Sequence, residues 1–354
     1  METSPYGTTK DGQTVRLFTL TNSSGVEVQL CEYGAIVASV KTPDCSGKFA
    51  NITLAKDSLE GWLENPEYLG ATVGRYGNRI SKGKFSIDGT DYELANNNDP
   101  GGIPCHLHGG AKGFSRVLWN GQPVIRPKAS GVCFTYYSDA GEEGYPGNLT
   151  AKVTYWLTDD NELIFEARAK ADAPTPVNLI NHTHWNRSGK PTKTILDHEL
   201  QLNANQFLPT SAGLIPTGKK EEVKGTPMDF TKPIRIGERI KNNFEPLKIG
   251  NGYDHCWVIQ KKGSGNLRKT AIVHDPKSGR ILEVKTDQPG LQFYSGNFLP
   301  RKHTGLCLET QAFPDSPNQP DFPNTILRPG ETYSHTCVFK FSTSSHYLPG
   351  LEGS

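Results

Sequence analysis

The sequence predicts an all-β protein, a large antiparallel β-sandwich with few short helices. Three observations carry that prediction. Apolar and polar residues alternate with period two over many short segments, as in strands that bury one face. Gly 37 and Pro 25 among 354 residues exceed average usage and separate those segments with turns. There is no amphipathic helix of more than a few turns and no βαβ alternation. A hydrophobic fraction of 35% is modest, but a chain of this length can still bury a large core. No linker or repeat divides it, and one domain over residues 1–354 is expected.

Taken in order, residues 14–42 hold strands on either side of the turn cluster Asn22-Ser23-Ser24-Gly25. Gly34 there marks a bulge or a close backbone approach. Residues 57–70 hold a short helical turn that Pro66 keeps from growing. Phe85 and Ile87, then Tyr92 and Leu94, alternate around Asp88-Gly89, a hairpin signal. Residues 95–113 form a loop in which alternation puts His106 and His108 on one side. Strands are expected in VLW, VCFTYY and a hairpin around residues 159–161. The pair Glu142–Glu143 between them is expected as a solvated turn tip.

Farther on, Val177 and Leu179 start a strand, after which His182 and His184 share a face beside Trp185. A strand and a turn-rich stretch fill 198–223, with the charge run KKEE read as a solvated hairpin tip. PIRIGERI is read as a short helix. Asp254 stands just before a strand, and two strand pieces flank the turn at 287–290. In 305–320, Leu306 and Leu308 take one face and Cys307 and Glu309 the other, before a loop with Pro314, Pro317 and Pro320. HTCVFKFS (335–342) is the last strand expected.

Net charge is +1, so no long-range field draws in nucleic acid or an anionic membrane, and neither is expected as a partner. No apolar run reaches membrane-spanning length. Seven cysteines, at 31, 45, 105, 133, 256, 307 and 337, form no CxxC pair, which predicts free thiols in a reduced compartment. METSPYGTTKDGQ has neither the basic region nor the apolar run of a signal peptide, so a cytoplasmic location is expected.

Apart from turn tips, the polar residues that could carry chemistry are Asn78, Arg79, His108, His182, Asp254, Gln292 and Glu309. GRYGNRI is no nucleotide loop, because its glycines do not open a helix. His106 and His108 have no third ligand nearby at a known spacing, so no metal is expected. If the fold gathers the set, one carboxylate and two imidazoles make an acid–base site without a cofactor. The amides, Asp254 and Arg79 could each bond a hydroxyl, a pattern that suits a sugar. Such a pair can open a hemiacetal, the carboxylate taking the anomeric proton and an imidazolium protonating the ring oxygen. A Glu of ordinary pKa and a His tuned near 6.5 would serve. Each residue also has a structural reading. Arg79 could be an ion-pair partner, Asp254 a turn cap, and Cys307 a small buried apolar residue.

An ordered series of motifs resembles the aldose 1-epimerase (galactose mutarotase) family: GRYGNRI, HLHGG with GFSRVLW, EEGYPG, NLINHTHWN, LPT…IPTG…DF, GYDH, QPGLQFYSGNFL and LETQAFPDSPNQP. The resemblance runs from about Gln29 to Phe341. It implies a "supersandwich" fold and interconversion of the α and β anomers of aldohexoses such as glucose and galactose. By motif, Glu309 resembles the general base, His182 the general acid and His108 the second histidine near the ring oxygen. Asn78, Arg79, Asp254 and Gln292 resemble the sugar-binding residues, Gln292 being preferred over Gln288 on motif position. The implied partner is an aldose, with no cofactor, and a monomer or weak homodimer is expected. Two departures stand out: His184 replaces the family's usual aromatic, and the segment between Phe298 and His303 is short. A sugar-phosphate epimerase on the same fold and a non-catalytic sugar-binding protein are the alternatives. A retaining glycosidase fits less well, since only one motif carboxylate has an acid–base role.

Overall fold

Strand Leu149–Thr158 shows why these segments form sheets. Leu149, Ala151, Val153, Tyr155 and Leu157 are buried, while the residues between them are mostly more exposed. It lies in a nine-stranded antiparallel sheet. In spatial order this runs Asn120–Arg126, Ala129–Ser138, Leu149–Thr158, Glu162–Ala171, Tyr333–Thr343, Arg280–Thr286, Arg268–His274, Glu199–Leu202, Ile234–Arg235. The computed structural model describes residues 1–260 and 267–345.

Two five-stranded sheets pack against it. One runs Glu2–Thr8, Thr14–Thr21, Glu27–Cys31, Ile36–Pro43, Phe49–Asn51, and the other Glu221–Glu222, Gln206–Phe207, Asp254–Val258, Gly290–Tyr294, Cys307–Gln311. All three feed one core: Phe18 and Val28 from the first, Val153, Phe165 and Phe339 from the large sheet, Trp257, Phe293 and Leu308 from the third. The helices are short, as expected: Leu59–Glu64, Ile236–Arg239 and Glu245–Gly250. The fold is the all-β antiparallel sandwich predicted.

Several local expectations hold. The hairpins close around Asp88-Gly89 and at 159–161, and strands Arg280–Thr286 and Gly290–Tyr294 flank the predicted break. Gly34 has φ +67, and a Cβ there would lie 2.5 Å from the Ser115 carbonyl oxygen, so the chain does approach closely.

Others are corrected. Residues 2–8 form an edge strand against Thr14–Thr21, although ETSPYGT lacks alternation; main-chain pairing makes it, and Tyr6 docks it by accepting from Trp62 Nε1 at 3.0 Å. The strand expected at VLW begins later, at Asn120. Glu142 and Glu143 are half-buried, not a solvated tip. Glu142 accepts from Tyr136 Oη at 2.6 Å and from the Ser138 hydroxyl, and Glu143 accepts from the backbone amides of Ala111 and Lys112 at 3.1 and 2.7 Å. The KKEE run is exposed, but Glu221–Glu222 is an edge strand paired with Gln206–Phe207.

Trp185 joins two parts of the molecule. Its amide donates to Leu306 O at 2.7 Å and its carbonyl accepts from Leu306 N at 3.0 Å. Its indole is fully buried against Phe339 and Phe341, with ring centroids 5.1 and 5.8 Å away. Truncation by W185A leaves a large void beneath the site and should destabilise the fold by about 3–5 kcal/mol, measured by urea denaturation.

Candidate active site

The third sheet sorts its residues by alternation. Trp257, Leu291, Phe293 and Leu308 point into the core, so the residues between them point the other way. Register then sets two rows on that outer face: Asp254 opposite Tyr294 opposite Cys307, and Cys256 opposite Gln292 opposite Glu309. Facing strands lie about 4.8 Å apart, so each row sets its side chains beside one another.

Loops from elsewhere close over those rows. Asn78, at φ +64, turns the chain into strand Arg79–Ser81, which pairs with Cys105–Leu107. His106 and His108 part company at the end of that pairing. His108 adopts φ +52, breaking the alternation that would have put both on one side. His106 is buried, with Nδ1 2.7 Å from Ala95 O and its ring 5.4 Å from that of Tyr145. His108 turns to the cavity. His182 follows the two-residue strand Ile180–Asn181, with its amide donating to Ala71 O at 2.8 Å. Trp185 ties this segment to Leu306, three residues before Glu309.

All seven residues named from the sequence line one open cavity of about 660 Å³: Asn78, Arg79, His108, His182, Asp254, Gln292 and Glu309. That volume suits a small molecule. His182 Nε2 lies 3.5 Å from Glu309 Oε1, and Glu309 Oε2 is buried with no hydrogen-bond partner among the described residues. Gln292 Nε2 donates to Asp254 Oδ1 at 2.7 Å, and Arg79 Nη2 stands 3.9 Å from Asp254 Oδ2. The Asn78 backbone N–H donates to His108 Nδ1 at 3.2 Å, which leaves His108 Nε2–H to donate elsewhere. The His108 and His182 rings meet edge to face at 4.9 Å.

Further lining residues were missed. Tyr68 packs against the His108 ring at 4.8 Å, and Asn98 Oδ1 accepts from Arg79 Nε at 3.4 Å. The amide run Asn96-Asn97-Asn98 was a usable signal; Tyr68 gave none. His184, which shares a face with His182 as alternation predicts, also lines the wall, its ring 5.1 Å from that of His182. The short segment between Phe298 and His303 begins at a rim, where Phe298 stays 56% exposed and stacks on Tyr294, and where Leu299 and Pro300 also line the cavity.

Electrostatics differ from the expectation of an ordinary Glu and a His near 6.5. Burial, then the charge of Asp254, pushes Glu309 well above the usual carboxylate range, against the opposing pull of Arg79. Burial lowers His182 to about 4. Burial first, then the neighbouring imidazole of His182 and the charge of Arg79, hold His108 well below its ordinary value, which favours a neutral ring. The cause is shared: burial strips hydration from these groups and disfavours any charge. The fold also supplies what local spacing lacked, since His108, His182 and Glu309 offer donor atoms all within 4.8 Å of one another, as do His182, His184 and Cys307.

A polar cleft on a β-sandwich, with a carboxylate–imidazole pair at its floor and amides and an ion pair around it, is the kind of site that carries out acid–base chemistry on a polyhydroxylated ligand. The comparisons agree. The aldose 1-epimerase family model matches residues 16–340. The galactose mutarotase of Bos taurus is 44% identical over 342 residues, covering 94% of this chain and 95% of the relative. The aldose 1-epimerase of Escherichia coli (strain K12) is 37% identical over 343 residues, covering 94% and 96%. The crystal structure of a galactose 1-epimerase from Lactobacillus acidophilus superimposes with a TM-score of 0.84 at 28% identity, covering 97% and 98%. This chain belongs to the aldose 1-epimerase family.

Because the Asp254 charge helps raise Glu309, D254N should move the Glu309 carboxyl toward lower pKa. A carboxyl-carbon NMR titration of wild type and variant checks the direction.

Proposed function

We propose that this chain is an aldose 1-epimerase that interconverts the α and β anomers of aldohexoses such as glucose and galactose, with Glu309 and His182 as its proton-transfer pair. The observation that carries the pair is its placement: Nε2 and Oε1 lie 3.5 Å apart at the floor of the cavity, with the second carboxylate oxygen unpartnered among the described residues.

Glu309 takes the proton of the anomeric hydroxyl while His182 protonates the ring oxygen. The C1–O5 bond breaks with its electron pair on O5, giving the open-chain aldehyde. Rotation about C1–C2 presents the other carbonyl face, and O5 attacks it as both protons return. His108 donates Nε2–H beside the ring oxygen. Asp254, held by Gln292 and Arg79, accepts from sugar hydroxyls, while Asn78 and Arg79 donate to them. No step calls for a metal or organic cofactor. Arg79 and Arg116 are the cations in the described lining, and Arg79 faces Asp254, so no basic cluster awaits a phosphate. We also read the protein as a cytoplasmic monomer or weak homodimer without a nucleic-acid partner; no helix among the described residues is long and apolar enough to cross a membrane.

E309Q keeps the shape and loses the base; H182N loses the acid. Each should lower the polarimetric mutarotation rate of glucose and galactose by about 10²–10⁴-fold. Near-wild-type rates would reject the pair, and a preference for glucose 6-phosphate over glucose would favour the sugar-phosphate alternative.

The shifted pKa values also set the pH profile. Below about 4 the pair holds two protons and has no base. Above the raised Glu309 value it holds none and has no acid. Between them one proton is shared, and kcat/KM should be flat. The rate should therefore fall on the acid side through about 4, and on the alkaline side through a value well above the ordinary carboxylate range, as read from initial rates corrected for buffer catalysis.

A further inference from the structure

Three nitrogen and sulfur donors meet beside the proton-transfer pair. His182, His184 and Cys307 each offer a ligand atom, and these atoms all lie within 4.8 Å of one another. His182 Nδ1 stands 3.8 Å from Cys307 Sγ, while Nε2 of the same ring faces Glu309 Oε1 at 3.5 Å. Backbone placement produces the cluster. Cys307 projects on the same face of strand Cys307–Gln311 as Glu309. The Trp185–Leu306 pairing lays the segment of His182 and His184 alongside that strand.

His184 supplies an independent observation. It is 1% exposed, and neither of its ring nitrogens has a hydrogen-bond partner among the described residues. His106, His198, His255 and His274 are also buried, and each keeps one ring nitrogen bonded. A buried polar atom without a partner carries the cost of its lost hydration. A phenyl ring would fill the same space without that cost, so the nitrogens of His184 point to a ligand.

The donor set selects the ion. Imidazole and thiolate together suit Zn²⁺ and related thiophilic cations, whereas Mg²⁺ and Ca²⁺ take oxygen. Tetrahedral zinc, with bonds of about 2.0–2.1 Å to nitrogen and 2.3 Å to sulfur, sets those two ligands about 3.6 Å apart. The 3.8 Å between His182 Nδ1 and Cys307 Sγ is close to that. His182 and His184 line the open cavity, so an ion can reach them from it and water can take the fourth position. Binding replaces the S–H bond of Cys307 by a sulfur–metal bond and releases the proton to solvent. Burial, then the charges of Glu309 and Asp254, hold that proton on the free thiol. A coordinated cation reverses the local electrostatics, and the thiol ionises.

We propose that His182, His184 and Cys307 form an inhibitory site for Zn²⁺ or a similar thiophilic divalent cation, with His182 shared between the ion and the reaction. With the ion on Nδ1, the ring keeps only its Nε2–H. Giving that proton up would leave an imidazolate, so the metal-bound ring is a far poorer acid than the imidazolium that protonates the sugar ring oxygen. The inhibition rests on the reading of His182 as that acid; the binding does not.

The test titrates wild type, C307A and H184F with Co²⁺, as an optical probe, and with Zn²⁺. Wild type should show a sulfur-to-cobalt charge-transfer band together with the strong visible bands of a four-coordinate ion, and Zn²⁺ should displace both. Saturating Zn²⁺ should lower the mutarotation rate by about 10²-fold or more, the worth of a positioned acid, and a chelator should restore it. C307A should lose the charge-transfer band. H184F keeps a ring and removes both nitrogens. It should weaken Co²⁺ binding at least 10-fold, since disturbing even an outer partner of a metal ligand costs roughly 10–100-fold. In both variants the Zn²⁺ inhibition constant, taken against that variant's own ion-free rate, should rise by a similar factor. A wild type without the charge-transfer band overturns the proposal. So does a C307A protein that binds Co²⁺ as tightly as wild type, which would put the ion at His108, His182 and Glu309, whose donor atoms also lie within 4.8 Å of one another. A wild type that shows the band and keeps its full rate with Zn²⁺ bound overturns the inhibitory role. If the protein interconverts no aldose at all, the proton-transfer reading fails, and the cobalt spectrum still decides the site.

Discussion

The site depends on one main-chain pairing, the two hydrogen bonds between Trp185 and Leu306. Trp185 is anchored by its indole in the core, and Leu306 leads into the strand that ends in Gln311. Three residues before Trp185 stands His182; three after Leu306 stands Glu309. Joining the two segments at that point brings an imidazole and a carboxylate from 127 positions apart in sequence to 3.5 Å. Side-chain attraction would be a poor way to do this, since two buried charges lose more hydration than their attraction returns unless other forces hold them. Here the core and the backbone do the holding, and the pair need not be ionised to stay together.

From that follows the chemistry of the floor. Burial acts on both partners against charge, raising the carboxyl and lowering the imidazole, so that over a wide range the two share a single proton. An acid and a base for one ring opening must differ by one proton between them, and the reverse step needs the same count. For the proposed proton-transfer pair, burial supplies that condition without matching either group to neutral pH by itself. The polar residues farther up the cavity do different work. Asp254 is fixed by Gln292 and faced by Arg79, so its carboxylate is held in one orientation at the cavity wall.

Much of this was legible in the chain. Alternation around Leu306–Glu309 correctly separated core from site, because a strand with one buried face allows only one assignment. Asp-Gly and Asp-Asn turns marked hairpins by their own local conformational preference. The residues that failed did so for identifiable reasons. His106 and His108 were put together by a rule that holds only while the strand continues, and His108 leaves it at φ +52. An acidic turn predicts solvent for Glu142 and Glu143; two hydroxyls of the preceding strand claim Glu142 and two distant backbone amides claim Glu143 instead. The strand at residues 2–8 carries no alternation because it is an edge strand held by main-chain pairing and by one docked side chain, Tyr6 on Trp62.

By itself the sequence determined the fold class, the faces of the long strands, and the residue types able to handle a hemiacetal, since these rest on local periodicity and on side-chain chemistry. It also carried the motif series that places the chain in its family. Only the tertiary structure decided that seven residues from separate segments share one cavity, and that His182 stands between Glu309 and Cys307. It also decided how far burial displaces their protons. The physical reason is that separation in space and loss of water are properties of the packed molecule, and neither is written in the spacing along the chain.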